Sequence, residues 1–264
     1  MLSRLRHVLL PLLLLGLAGC SRLGIGAGPD EPVRVEPPQV GQCRMLSPAD
    51  ITAPSDDTEP VDCAKRHTAE TFAVGRFPAK VAKGGIDDPA LGAHVFDTCE
   101  RHFRNWVGGD ESLVMRATIT WAWFRPGAEA WEAGARWWRC DVVGGGEQSE
   151  QLITLPETTR GILLGMPEDK WMVCVAGPTI ADSVKIPCNE EHTWRAVGTI
   201  VVGEPEDPYP GNKVVAARTR DSCSEWVGAW LNYPVDYDYA FTWFHEAEWE
   251  AGNRRSICWA KTGQ

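Results

Sequence analysis

Two stretches of the chain carry apolar side chains at the three-to-four-residue spacing of an amphipathic helix. The first follows Asp88-Pro89, an N-cap residue with proline at the first helical position. Its inward positions are Leu91, Val95, Cys99, His102 or Phe103, and Trp106. The second begins near Asn212 and ends before Pro234, with inward positions at Ala216, Thr219, Cys223, Trp226 and Trp230. The pattern predicts two helices, each with a cysteine on its buried face.

Each predicted helix is followed by a segment with the two-residue period of a β-strand. The segment at 116–124 places Ile119, Trp121 and Trp123 on one face, and the later one places Tyr239, Phe241 and Trp243 there. Shorter β-like runs end at Cys140 and Cys174. A small antiparallel sheet with one helix on a face uses all of these segments. We therefore expect an α+β fold.

The two halves of the sequence repeat the same motifs in the same order. Both contain C-x3-H-T, beginning at Cys63 and Cys188, and both end in G-x-R-x3-C, at 134–140 and 252–258. Between these motifs each half has a Trp-Val-Gly triplet, a Trp-Phe pair and a Trp-Glu-Ala-Gly tetrad. The repetition predicts two tandem homologous domains, at 41–146 and 168–264. Residues 147–167 are the predicted linker, within which 162–164 form either part of a free linker or a short helical turn docked on one domain.

The first 40 residues have the composition of a secretion signal followed by a tether. Arg4 and Arg6 precede about ten apolar residues, too few for the roughly 20 that span a bilayer. Ala18-Gly19-Cys20 then resembles the lipobox of bacterial lipoproteins, in which the cysteine thiol is diacylated before cleavage. We expect residues 1–19 to be a signal peptide, Cys20 to carry the lipid, and the glycine- and proline-rich residues 20–40 to form a flexible tether.

The charge of the chain bears on its partners. The formal net charge is −10, and no run of Lys or Arg is present to displace counterions from phosphates, which argues against a nucleic-acid partner. Attachment to the membrane then rests on the lipid anchor. The predicted location is the extracytoplasmic face of the cell membrane.

Eight of the nine cysteines remain after Cys20 is assigned to the anchor, an even number that predicts four disulfides in an oxidising compartment. We expect strand-to-helix pairs, Cys63 with Cys99 and Cys188 with Cys223. The outer cysteines then pair as neighbouring strands, Cys43 with Cys140 and Cys174 with Cys258. A hairpin bond between Cys174 and Cys188 is the alternative. No bond is expected between the two domains.

The cysteine framework resembles the septum formation-related domain of actinobacterial envelope proteins. In the first copy the resemblance rests on Val61, Cys63, His67, Glu70 and the closing W-x2-G-x-R-x3-C. The second copy matches at Cys188, His192 and the same closing motif, but has Arg195 in place of the glutamate. The resemblance implies a role linked to cell division and implies little about mechanism.

The sequence contains no catalytic motif that we recognise, and we expect a protein that is not an enzyme and needs no cofactor. Cys and His four residues apart can bind zinc, but in an exported chain the thiols more often oxidise. His67 and His192 are therefore predicted to be structural. So are Arg136 and Arg254, whose guanidinium groups can bridge several carbonyls or a carboxylate where the chain turns back into its last strand.

The thirteen tryptophans suit both core packing and ligand binding. Most of those on predicted strands are expected in the core. Trp137 and Trp138 are adjacent, so their side chains point to opposite faces of a strand, and we expect one of them to face a ligand or the domain interface. The sequence thus favours an interaction or scaffold module with an envelope-protein partner. The alternative is a module that binds cell-wall glycan or peptidoglycan through exposed tryptophan.

The lipobox yields a direct prediction. Cys20→Ala should leave an uncleaved or unlipidated protein in place of the form that partitions into detergent, because buried acyl chains contribute about 0.8 kcal/mol per CH₂. Detergent phase partitioning measures the effect, and the neighbouring Ser21→Ala variant should behave like the wild type. Equal partitioning of Cys20→Ala and wild type would contradict the prediction.

Overall fold

The first half of the chain forms a four-stranded antiparallel sheet with one long helix packed on it. In chain order the elements are β1 (Cys43–Arg44), α1 (Pro48–Thr52), β2 (Ala69–Arg76), α2 (Ala79–Ala82), α3 (Ala90–Val107), α4 (Glu111–Val114), β3 (Thr120–Phe124), α5 (Ala128–Glu132) and β4 (Trp137–Val143). The strand order is β1-β2-β4-β3. Strand β3 therefore lies at an edge of the sheet.

The second half forms a five-stranded antiparallel sheet. After a 3-10 helix (Asp169–Trp171) come β5 (Val173–Val175), β6 (Lys185–Pro187), β7 (Trp194–Val201), α6 (Asn212–Trp230), β8 (Tyr239–Thr242), α7 (Glu246–Glu250) and β9 (Arg255–Lys261). The order is β6-β5-β7-β9-β8, so β5, β7, β9 and β8 repeat the order of the first sheet. The α+β class predicted from the sequence is confirmed.

The computed structural model describes residues 34–146, 149–181 and 183–263. The predicted signal peptide and Cys20 lie outside these residues, as does most of the predicted tether. Within the described ranges, none of the helices is both long and apolar enough to cross a membrane.

Each long helix buries one residue in every four against its sheet. The buried stripe of α3 is Leu91, Val95, Cys99, Phe103 and Val107, and that of α6 includes Val215, Thr219, Cys223 and Val227. The prediction that Trp226 and Trp230 face inward is wrong, because they are 49% and 47% exposed. Both lie one position before the stripe that Cys223 defines, which turns their side chains out of the core.

All eight cysteines at positions 43 and beyond form disulfides, and each bond stays within one half of the chain, as predicted. The predicted partners are wrong. The bonds are Cys43–Cys63, Cys99–Cys140, Cys174–Cys188 and Cys223–Cys258, so only the alternative hairpin bond is present.

Strand order explains the pairing. The predicted Cys43–Cys140 bond would have to cross β2, because β1 and β4 lie on either side of that strand. Two strand spacings amount to about 9.6 Å, more than the roughly 4.4 to 6.8 Å between Cα atoms in a disulfide. The central strands β4 and β9 instead present their cysteines directly to the helices above them. Cys43 pairs with the returning chain, which forms a β-bridge with it at Val61.

Strand register shows that the Trp-Phe pairs of the two halves are not equivalent. Trp123 lies opposite Cys140 on β4, whereas Phe241 lies opposite Cys258 on β9. Trp123 is therefore equivalent to Phe241 in the structure. The Trp-Phe motif instead aligns Trp123 with Trp243, two residues further along the chain.

The Trp-Val-Gly triplets are also out of register. With Cys99 aligned on Cys223 by their equivalent disulfides, Trp106 falls on Trp230 rather than on Trp226. The triplets thus lie one helical turn apart. The two halves share their strand order and disulfide pattern, while the tandem duplication itself stays a prediction.

The two halves are joined by backbone and charged contacts. An isolated β-bridge pairs Ala117 with Met172. Beside it, the Glu111 carboxylate accepts hydrogen bonds from Arg104 at 2.8 Å and from Arg255 of the second sheet at 2.9 Å. The hydrogen bond from Arg255 is the largest cause of a Glu111 pKa below its ordinary value.

The described part of the predicted linker packs along the first half. The Gly161 amide donates to the Trp106 carbonyl at 2.7 Å, and Leu163 is fully buried in the core beneath α3. Nearby, the buried carboxylate of Glu70 accepts the Thr158 hydroxyl at 3.0 Å and the Thr159 hydroxyl. The docked turn is confirmed, and this segment is part of the first-half core.

Two adjacent leucines test this conclusion. Leu163→Ala should lower the free energy of unfolding by about 2 to 5 kcal/mol, because it removes a fully buried side chain and leaves a cavity. Leu164→Ala should cost less than about 1 kcal/mol, since that side chain is 67% exposed. Denaturant unfolding of the two variants measures the difference, and equal midpoints would show that the segment does not contribute to the core.

Candidate binding surface

An open groove of about 480 Å³ runs beside the edge strand β3. One side is formed by residues 51–54, which follow and include the end of α1, and the other by residues 120–123. Gly146 lies at the groove as well. The carbonyl of Pro54 accepts a hydrogen bond from the Arg125 amide at 3.0 Å and so closes one end. The groove is therefore bounded by an edge strand on one side and the α1 segment on the other.

Aromatic side chains adjoin the groove on the helix face of β3. Phe96 of α3 is 52% exposed and meets Trp121 edge-on, with 5.4 Å between ring centroids. Trp123 is half-buried on the same face. The strand itself carries no charged side chain. This surface can hold a chain that offers both backbone hydrogen bonds and apolar contacts.

A second aromatic surface lies on α6. Trp226 and Trp230 are four residues apart and hence share one helix face. Trp106, the counterpart of Trp230, is covered by the linker: its indole donates to Thr159 at 2.9 Å, and the Arg160 guanidinium lies 4.0 Å above its ring. About half of the Trp230 side chain remains exposed.

The tryptophans predicted to face a ligand are both buried. Trp137 is 5% exposed and Trp138 is 7% exposed, so the prediction that one of them faces a ligand is wrong, whereas the alternative of a place at the domain interface stays a prediction. Trp138 packs toward α3, where its ring lies against Gly75. The opposite face of the sheet is also covered, by α1 and the chain on either side of it, because Leu46 and Ile51 pack there and Asp56 pairs with Arg139. With both faces covered, adjacent residues of the central strand are both buried.

A cluster of paired charges is buried on that second face. Arg139 donates to Asp141 at 3.0 Å and also pairs with Asp56. Arg44 donates to the Thr71 hydroxyl at 2.9 Å, and this hydroxyl donates to Asp141 at 2.7 Å. The four charged side chains are almost inaccessible to solvent. Their hydrogen bonds go to one another and, for Arg44, to Thr58, Thr71 and Gln42, so the cluster is bonded within the protein.

The environment of the cluster shifts two pKa values. Burial, reinforced by the charge of Arg139, lowers the pKa of Arg44 to about 10, at which it stays protonated at neutral pH. Burial raises the pKa of Asp56, but hydrogen bonds from Thr58 and Arg139 outweigh this effect and leave it below its ordinary value. A lowered carboxyl pKa stabilises the fold above the unfolded value near 3.8, and this contribution is lost as the pH falls through the folded pKa.

The corresponding positions of the second half are apolar. Thr71 pairs with Asp141 in the first sheet, and the equivalent pair in the second sheet is Ala196 with Trp259. Arg44 directly follows Cys43, and the equivalent residue after Cys174 is Val175. These residues form a hydrophobic cluster with Val173 and Trp194. The same space in the fold is filled by charges in one half and by hydrocarbon in the other, which supports a packing role for the charges.

The two predicted structural histidines make matching local contacts. Nδ1 of His67 lies 2.8 Å from the Lys65 carbonyl, and Nδ1 of His192 lies 2.7 Å from the Glu190 carbonyl. Both side chains are buried. In the described residues, no group of three or more His, Cys, Asp or Glu side chains is arranged to hold a metal ion.

The two predicted structural arginines each contact the short helix before the last strand. Arg136 donates to the carbonyls of Trp131 and Ala135 at 2.6 and 2.7 Å. Arg254 donates to the Trp249 carbonyl, and to the Pro205 carbonyl at 2.9 Å. Each guanidinium also lies over the tryptophan ring, at 4.0 and 3.6 Å from the centroid. Of the two alternatives that the sequence left open, carbonyls or a carboxylate, both arginines bond to carbonyls.

Sequence reasoning missed the groove at β3. The uncharged run Thr-Trp-Ala-Trp-Phe is the available signal, because natural edge strands usually carry charge or proline. The sequence pattern does not reveal which strand lies at the edge.

A family model described as septum formation covers residues 40–258, more than four fifths of the chain. Neither curated proteins nor solved structures give a match.

The contacts of Arg254 lead to a stability prediction. Arg254→Lys should lower the free energy of unfolding by about 1 to 3 kcal/mol, because an ammonium group cannot reach the same carbonyls while stacking on Trp249. Arg220→Lys is the control, since Arg220 lies in an exposed ion pair with Asp221. Denaturant unfolding is the measurement, and an unchanged midpoint for Arg254→Lys would refute the structural role.

Proposed function

Because its family model spans residues 40–258, the chain belongs to the septum formation family, and we propose that it is a binding protein of the cell surface that acts in septum formation. It is held on the extracytoplasmic face of the membrane by the lipid on Cys20. It works without catalysis, by presenting a surface to a protein of the division site.

The observation that carries this proposal is the contrast between its buried charges and its open edge. The charged side chains of the buried cluster, Arg44, Arg139, Asp56 and Asp141, are linked beneath the surface by ion pairs and through the Thr71 hydroxyl. The accessible features are the groove beside β3 and exposed aromatic side chains. Such a surface suits binding better than chemistry.

Two further features support an exported, membrane-held protein. Four disulfides suit an oxidising compartment outside the cytoplasm. The lipobox-like Ala18-Gly19-Cys20 supplies the anchor, and the glycine- and proline-rich residues after it give reach from the membrane.

A second candidate function is binding of cell-wall glycan. Trp226 and Trp230 expose about half of their side chains on one face of α6, and indole rings stack on sugar rings. Titration with soluble peptidoglycan fragments, followed by tryptophan fluorescence, separates the candidates. A saturable change that Trp226→Ala/Trp230→Ala removes favours the glycan candidate.

Localisation in dividing cells tests the proposed function. The full chain, fused at its C-terminus to a fluorescent protein that matures outside the cytoplasm, should be enriched at the septum at least about twofold over the lateral membrane. Residues 1–40 fused to the same fluorescent protein are the control, because they carry the anchor and tether alone. A distribution of the full chain identical to that of this control would contradict the proposal.

A further inference from the structure

The outer edge of β3 carries backbone groups that the fold leaves open. β3 pairs with β4 on one side, and the sheet order leaves its other side without a strand. In the described part of the chain, no hydrogen bond reaches the backbone of Trp121 or Trp123 from that outer side. An edge of this kind is a template for an added strand.

The direction of the backbone groups follows from the ladder. The Gly144 amide donates to the Thr68 carbonyl on the β2 side, so the Val143 amide points the other way, toward its β3 partner Thr120. Backbone groups alternate along a strand, so Thr120, Ala122 and Phe124 face β4 while those of Trp121 and Trp123 face outward. The bond from the Arg125 amide to Pro54 on the outer side agrees with this alternation.

The groove selects a single extended chain as the occupant. Pro54 already pairs with one end of the edge, and residues 51–53 then diverge from β3 and leave the gap. A second copy of β3 would bring its whole sheet with it, and the α1 segment stands in the way. The open stretch from Trp121 to Trp123 pairs with about three residues of an extended peptide at roughly 3.4 Å per residue.

The chemistry of the groove defines the peptide further. β3 and the lining residues 51–54 carry no charge, and Ile51 and Ala122 pack on this side. A bound strand points alternate side chains toward Ile51 and Ala122 on one side and toward Trp121 and Phe96 on the helix side.

We infer that the edge of β3 binds an extended, uncharged segment of a partner protein, which adds to the sheet as a fifth strand. The segment pairs with the backbone of Trp121 and Trp123 and continues the contact that Pro54 begins. This inference rests on the proposed function and specifies the partner class of that binding role.

Selection of peptides followed by hydrogen exchange tests the inference. A random nonapeptide phage library is selected on the detergent-purified full chain, and the recovered peptides are synthesised. Bound peptide should slow exchange of the Trp121 and Trp123 amides at least about tenfold and leave the Ala122 and Phe124 amides unchanged. In a bound peptide, only every second backbone amide points toward β3. N-methylation of that set of alternate residues should abolish binding because it removes the hydrogen-bond donors, whereas N-methylation of the other set should not.

Two substitutions complete the test. Thr120 is exposed in the groove, and Thr120→Lys should weaken peptide binding at least tenfold by placing a charge there. Val235→Lys adds the same charge at a 98% exposed site of the second half and should change affinity less than twofold.

Three results would overturn the inference. In the first, the selected peptides slow exchange of amides other than those of Trp121 and Trp123. In the second, peptides N-methylated at either set of alternate residues bind as well as the unmodified peptide. In the third, the protein self-associates through β3 in the absence of peptide. Each of them leaves septal localisation unaffected, so the proposed function is judged separately.

Discussion

The arrangement of each half depends on one covalent contact, the disulfide between the middle of the long helix and the central strand. Cys99–Cys140 and Cys223–Cys258 fix which helix face is inward and which strand lies beneath it. A loop of this length restricts the unfolded chain by roughly 3 to 5 kcal/mol in the chain-entropy picture. Once the cysteine faces the sheet, residues at intervals of four join it in the core, and the positions just before them turn outward.

The two halves use this frame differently. The first half fills the far face of its sheet with paired charges around Arg139, while the second fills it with hydrocarbon around Trp259. Glu70 of the first half holds the linker through threonine hydroxyls, whereas its counterpart Arg195 pairs with Asp169 at 2.6 Å. One half thus covers its helix with the chain's own linker, and the other leaves Trp230 half-exposed.

The surface features relevant to binding follow from these differences. The first half has an uncharged sheet edge beside a groove, and the second has exposed indoles on a helix. Glu111 joins Arg104 to Arg255, so the halves present these surfaces from one body. The chain belongs to a family linked to septum formation, and a lipid anchor is expected at Cys20. Such an anchor would present these surfaces at the membrane.

The sequence by itself determined the α+β class, the two cysteine-bearing helices and disulfide bonding by all eight cysteines, because periodicity and local motifs act over short distances. Only the tertiary structure decided the disulfide partners, since strand order sets which cysteines come within reach. It also buried Trp137 and Trp138, because both sheet faces are covered by segments distant in sequence. Likewise, the open edge of β3 exists because β4, the last strand of the first half, inserts between β2 and β3. Strand order depends on packing across the whole domain, and a local sequence pattern therefore does not predict it.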